Sequence, residues 1–204
     1  MLIRFVSLLL LVLLQTGLQG CSLLGAKPEV VDSVPQEKPL PPELIEAYNA
    51  GLELLQDEEF DAALIHWQAL AEKYAEFPGC WTNLALAQYR LEQFDASLES
   101  LNKAVALKQE FCPAYKVLGL VQRELGQFGA AENSYQTALQ CDPADVQVHY
   151  NLGILYDLYL HDLVKALEQY QLAQGMMTEP DETLAIWIAD LERRSTEQVA
   201  GEGS

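Results

Sequence analysis

A period of 34 residues constrains this chain more than any other feature. Stepping by 34 from Gly119 gives Ala85 and Gly51 in one direction and Gly153 in the other, all small. The aromatics Phe60, Phe94 and Phe128 recur at the same interval. So do Ala63, Ser97 and Ala131, and again Leu70, Ala104 and Ala138. A repeat of this length is one supersecondary unit that cannot bury its apolar face alone, so copies stack. The unit is clearest from Tyr115 to Pro143. Its first amphipathic helix carries Leu118 and Gly119 on one face and ends near Gly126. Its second carries Ala131, Tyr135 and Ala138 and stops at Asp142-Pro143. The recurring small residue marks where the two helices approach closely.

The frames start at Leu44, Pro78, Cys112 and Val146, and Pro78 sits in a first helical turn, where a missing N–H is harmless. Trp81, Leu84 and Ala85 form a W-x-x-L-[GA] opening, and Tyr115 takes the tryptophan place one repeat later. On these residues the chain resembles the tetratricopeptide-repeat family. The resemblance implies an all-α fold, an α-solenoid of about four helix-turn-helix repeats over 44–77, 78–111, 112–145 and 146–180. The fourth repeat departs from the pattern. Ala166 follows Ala131 by 35 residues, which places one inserted residue near Leu160-His161-Asp162 and predicts a lengthened turn there. Leu184, Trp187, Ile188 and Leu191 form one apolar stripe, opposite Glu182, Asp190, Glu192 and Arg193. That pattern predicts a C-terminal capping helix over 181–194, with one face on the last repeat and one in water. Residues 195–204 read as a disordered tail.

The start of the chain reads differently. Residues 1–20 have Arg4 as a short basic region, then an apolar run from Phe5 to Leu14 of secretory-signal length. Leu18-Gln19-Gly20-Cys21 follows and resembles a bacterial lipobox, with an ordinary secretory signal as the alternative. The lipoprotein resemblance implies a diacylglyceryl thioether on Cys21, cleavage before it, and an acylated (palmitate-type) amino terminus. Two or more acyl chains anchor a protein firmly. Ser22, rather than an aspartate, after the cysteine implies the outer membrane of a Gram-negative cell, lipid-anchored and facing the periplasm. From Cys21 to Pro42 the chain is rich in proline and has no helical or strand period, which predicts a semi-extended tether.

Thirty acidic residues against twelve basic give a net charge of −18, which argues against a nucleic-acid binder. No nucleophile elbow, phosphate loop or H-E-x-x-H motif is present. His66, His149 and His161 share no metal spacing. The expectation is a protein without enzymatic activity, cofactor or metal. With Cys21 lipidated, Cys80, Cys112 and Cys141 remain. Antiparallel packing within repeat three brings Cys112 and Cys141 together. Cys80 with Cys112 is the rival pairing, and three small buried apolar residues is the third reading.

In the family that the repeats resemble, the first helix of each repeat lines a concave groove. Carried over position by position, the groove holds Tyr48, Asn49, Leu52 and Leu55; Thr82, Asn83, Leu86, Tyr89 and Arg90; Lys116, Val117, Leu120 and Arg123; and Tyr150, Asn151, Ile154 and Asp157. Asparagine can donate to and accept from a peptide backbone. The apolar ninth positions would hold side chains of a bound segment. Arg90, Lys116 and Arg123 form a basic strip in an acidic protein, which predicts an acidic partner segment, extended or helical. The resulting expectation is an envelope scaffold that binds other proteins. Lipoproteins similar to it include factors that assemble the secretin of type IV pili, which is the first expectation. Adaptors for peptidoglycan hydrolases, outer-membrane protein assembly subunits and accessories to polysaccharide export are the alternatives.

Overall fold

A computed structural model describes residues 40–202, and within them the chain is helical with short connections. Residues 1–39 and 203–204 lie outside the described residues, and with them the expected signal, the expected lipidation at Cys21 and nearly all of the expected tether. The helices are α1 (Pro42–Gln56), α2 (Phe60–Lys73), α3 (Pro78–Arg90), α4 (Phe94–Leu107), α5 (Cys112–Glu124), α6 (Phe128–Cys141), α7 (Val146–Ile154), α8 (Leu163–Met176) and α9 (Glu182–Glu202). They pack in sequence as antiparallel pairs, α1/α2, α3/α4, α5/α6 and α7/α8, with α9 on α8. Among the described residues no helix is long and apolar enough to cross a membrane.

Each pair is keyed by a small residue facing a large one. Gly51 receives the Trp67 ring, and a Cβ at Gly51 would lie 2.6 Å from it. The same atom at Gly119 or Gly153 would overlap the rings of Tyr135 and Tyr170. In repeat two the small residue is Ala85, and its counterpart is the shorter, fully buried Leu101. The partners fall sixteen residues apart, or seventeen in the fourth pair. The loss of one methyl group in the first helix is thus matched by an aromatic ring in the second.

A second set of positions joins successive pairs. Cys80 and Ala87, Ala114 and Val121, and Val148 and Leu155 recur at the 34-residue spacing and are buried against the preceding repeat. Their equivalents in the first helix are Glu46 and Glu53, both exposed. At the start of the stack, α1 presents carboxylates where later helices present apolar side chains. At the other end, Leu184 and Leu191 of α9 take these positions and are buried. So α9 packs as the first helix of a fifth repeat that lacks its second, which is how it caps the stack.

Polar contacts repeat as well. Trp81 Nε1 donates to the Ala75 carbonyl and Tyr115 Oη to that of Gln109, each over 2.9 Å. His149 Nε2 lies 2.9 Å from the Pro143 carbonyl at the same place in the next repeat. Ser100 Oγ donates to Gln88 Oε1 (2.8 Å), and Ser134 Oγ to Gln122 Oε1 (2.7 Å). Those of Ser100, Ser134 and His149 satisfy buried polar groups that would otherwise cost about 1–3 kcal/mol each.

Two expectations need correction. The residue inserted in repeat four does not lengthen the turn. In each repeat the turn contains one left-handed residue: Glu58, Glu92, Gly126 and His161. The turn chemistry is therefore kept, and the extra residue is absorbed before it, where Leu155–Leu160 is π-helical. The carboxyl terminus is also more ordered than its composition implies. Instead of ending at 194, α9 continues to Glu202. Arg193 pairs with Asp190 (2.6 Å) and Glu197 (2.9 Å), at i,i+3 and i,i+4 spacings that support an exposed helix.

Cys112, the first residue of α5, and Cys141, the last of α6, are joined by a disulfide with Cα atoms 6.3 Å apart. Cys80 is buried and, among the described residues, unpaired. Burial pushes its thiol up to about 11, away from the reactive thiolate. Cys80 should therefore resist alkylation in the native protein at neutral pH and react once it is unfolded. Labelling of native Cys80 at the rate of a free cysteine would contradict its placement.

Candidate peptide-binding groove

The first helices α1, α3, α5 and α7 lie side by side and form one face of the stack, with α2, α4, α6 and α8 behind them. Every groove residue expected from the repeat pattern lies on this inner row, but not all are available to a ligand. Leu52 is 42% exposed, while Leu86, Leu120 and Ile154 are half-buried. These four ninth positions make an apolar ladder along the groove. Tyr48 is half-buried with its ring edge-on to Trp67, 4.8 Å between centroids. Leu55, Tyr89 and Tyr150 are also half-buried, and Asn49 is exposed. Thr82 and Val117 are buried and belong to the core rather than the lining. Thr82 bonds back to the Pro78 carbonyl over 2.9 Å.

The sixth-position asparagines do not act as a uniform ladder. Asn151 is satisfied within the protein. Its amide donates to the Gln147 carbonyl (2.8 Å) and its oxygen accepts from Arg123 Nη1 (3.3 Å). The Asn83 amide nitrogen is buried and has no hydrogen-bond partner among the described residues. That nitrogen is closed to solvent, which leaves Asn49 as the asparagine open to a bound backbone.

The basic strip is real in position but neutralised in charge. Arg90 pairs with Glu58 over 3.3 Å and lies over the Phe60 ring at 4.1 Å. Lys116 pairs with Asp145, which caps α7. Arg123 pairs with Glu124 over 3.0 Å, and its side chain is 11% exposed. Each cation has its own carboxylate, so the groove offers no free positive row. This pairing weakens the pull that the strip would exert on an acidic segment. Asp157, also on the row, pairs with Arg194 of α9 over 3.1 Å.

Two further residues shape the groove from outside the expected set, Trp187 at its end and the buried Tyr135 behind it. Trp187 of α9 stacks on Tyr150, with centroids 5.8 Å apart and planes at 25°, and closes the carboxyl end of the groove. Tyr135 belongs to a second helix, yet its ring crosses Gly119, and its buried hydroxyl has no hydrogen-bond partner among the described residues. Burial pushes that hydroxyl well above the ordinary tyrosine value, so it stays a neutral donor. The sixteen-residue spacing from Gly119 is the sequence signal that could have found it. Among the described residues no group of three or more histidine, cysteine or carboxylate side chains could hold a metal ion.

Comparisons with known proteins bear on the fold. A family model described as tetratricopeptide repeat matches residues 48–110, and one described as TPR repeat matches residues 119–157. The solved structure of MamA residues 41 to the end, from Desulfovibrio magneticus RS-1, superposes with a TM-score of 0.65 at 19% identity, covering 80% of this chain and 92% of that one. YrrB, described as a TPR protein with an unusual peptide-binding site, gives 0.58 at 24% identity, covering 72% and 74%. No curated protein matches the sequence.

Proposed function

Because this chain is a tetratricopeptide-repeat protein, and such repeats are protein-interaction scaffolds, we propose that it works without catalysis as an envelope scaffold, anchored to the outer membrane through Cys21 and facing the periplasm. Its inner face holds a segment of another envelope protein. The observation that carries this reading is the ladder of Leu52, Leu86, Leu120 and Ile154, flanked by the exposed Asn49. A segment with regularly spaced apolar side chains fits the ladder, and its backbone can pair with that amide. YrrB, with its peptide-binding site, has the same fold. The Cys112–Cys141 disulfide supports an exported chain, since such bonds persist in oxidising compartments. The first candidate process is assembly of the type IV pilus secretin, on the resemblance of anchor, tether and repeats to lipoproteins that serve it.

Affinity capture from detergent-solubilised envelopes tests this. The lipidated chain should recover a defined envelope protein, and a secretin would identify the process. Leu52→Glu, an exposed substitution, should lower recovery about tenfold, as burying a carboxylate in an apolar contact requires. Recovery that is unchanged by Leu52→Glu would remove the groove from the account. Because the groove cations are already paired, affinity should change little as salt is raised. A steep loss with salt, measured by titration of the recovered partner, would restore the charge-led reading.

A further inference from the structure

The turns that join first and second helices lie along one edge of the stack, and that edge changes character along its length. In repeats one and two it carries Asp57, Glu58, Glu59, Asp61, Glu92 and Asp95. Among the described residues, only Glu58 of these has a cation within ion-pair distance. In repeats three and four, residues 125–131 and 158–161 contain no carboxylate, lysine or arginine. The four carboxylates that border them share three cations, so this edge keeps far less free negative charge than that of repeats one and two. Glu124 pairs with Arg123 (3.0 Å), Asp157 with Arg194 (3.1 Å), and Glu132 and Asp162 with Lys165 (3.6 Å each).

This edge also exposes several large apolar side chains. The π-helical segment pushes Leu158 and Tyr159 outward, and Val164 follows on α8. Leu158 is 59% exposed and Val164 73%, with Leu160 also exposed. Tyr159 packs on Phe128, 4.8 Å between ring centroids, which makes one surface of the two repeats. Exposed apolar side chains gathered on one edge mark a candidate contact surface.

We propose that this edge rests on the phospholipid bilayer that carries the anchor. The inference depends on the reading of Cys21 as lipidated. Roughly twenty residues separate Cys21 from the folded stack, a reach of up to about 60 Å at the polyproline rise. The bilayer is therefore always within range. Anionic lipid repels a chain of net charge −18 wherever its carboxylates are free. The edge of repeats three and four is the part of the turn side that approaches with the smaller penalty. Its leucines, Val164 and the amphipathic Tyr159 suit the interfacial layer. Few polar groups are present to fix a protein partner in register. The consequence is orientation: repeats three and four lie near the membrane and the acidic edge of repeats one and two stands away from it.

The test uses the mature lipidated chain in vesicles of phosphatidylethanolamine and phosphatidylglycerol containing a phospholipid with a photoactivatable acyl chain. After irradiation, lipid adducts should map to residues 158–164. Leu158→Glu with Val164→Glu, both on exposed side chains, should reduce those adducts about tenfold while the chain still floats with the vesicles. A chain that floats but carries no lipid adducts in 158–164, or carries them there equally in the variant, overturns the proposal. Lipid adducts that map mainly to the acidic turns at 57–61 and 92–95 overturn it too. A chain that does not float at all overturns the anchoring reading on which it rests.

Discussion

Replacing Gly119 by alanine is expected to destabilise the protein by about 1–3 kcal/mol, and adding Tyr135→Leu is expected to restore most of that loss. The first effect follows from the Tyr135 ring, which occupies the space that the new methyl group needs. The ring is 1% exposed and packed between repeats three and four, so it cannot swing clear. The second follows from repeat two, where Ala85 with Leu101 already solves the same packing problem. The double variant installs that pair in repeat three. Tyr135→Leu alone leaves a void against Gly119 but removes a buried hydroxyl that has no partner among the described residues, so its own cost is smaller than a pure cavity would give. Urea unfolding of the four chains measures the coupling. An interaction energy of about 1 kcal/mol or more in favour of the double variant is expected for residues in direct contact. Additive losses would show that the small-to-large pairing does not key the repeats.

The second large effect concerns the disulfide. Cys112 and Cys141 close a loop with a sequence separation of 29. On the chain-entropy account, a crosslink over that length contributes about 3.5 kcal/mol by restricting the unfolded chain. It joins the open end of the α5/α6 pair, opposite the turn at Gly126. Lys116, one turn into α5, pairs with Asp145 at the start of α7, so the junction of repeats three and four is tied at the same place. Reduction with dithiothreitol, or Cys112→Ser with Cys141→Ser, should lower stability by this amount. The serine variant should then be indifferent to reductant. In a stack where each repeat contacts only its neighbours, the loss should appear first as faster amide exchange in α5 and α6. Equal unfolding curves with and without reductant would contradict the assignment.

What the sequence revealed and what it withheld divide along a physical line. Interactions within a repeat recur at fixed spacing, so the 34-residue step alone marks Gly51, Ala85, Gly119 and Gly153 as the helix crossings. The capping stripe from Leu184 to Leu191 follows in the same way from helical period. Contacts between repeats depend on how far each unit rotates on the last, which no spacing records. Arg90 with Glu58, thirty-two residues away, and Arg194 with Asp157, thirty-seven away, are of this kind. The first of them, with Lys116–Asp145, closes two of the three cations of the basic strip, while Arg123 takes its sequence neighbour Glu124. The inserted residue is intermediate. The 35-residue step from Ala131 to Ala166 shows that it exists, but any position between the matched residues satisfies the count. The preference for a left-handed residue in each turn decides that the helix, and not the turn, takes it up. The helix beyond Arg194 has no sequence signature of its own, because a polar composition can signal an exposed helix held by i,i+4 pairs as readily as a tail.

The groove is the central claim, and its occupancy in the cell tests it most directly. A photo-crosslinking amino acid placed at Leu52, on the inner row, is compared with one at Ile65, which is 72% exposed on α2 outside that row. The account predicts a discrete adduct with an envelope protein from position 52 and none from position 65. Adducts of equal yield from both positions, or from 65 alone, would contradict it.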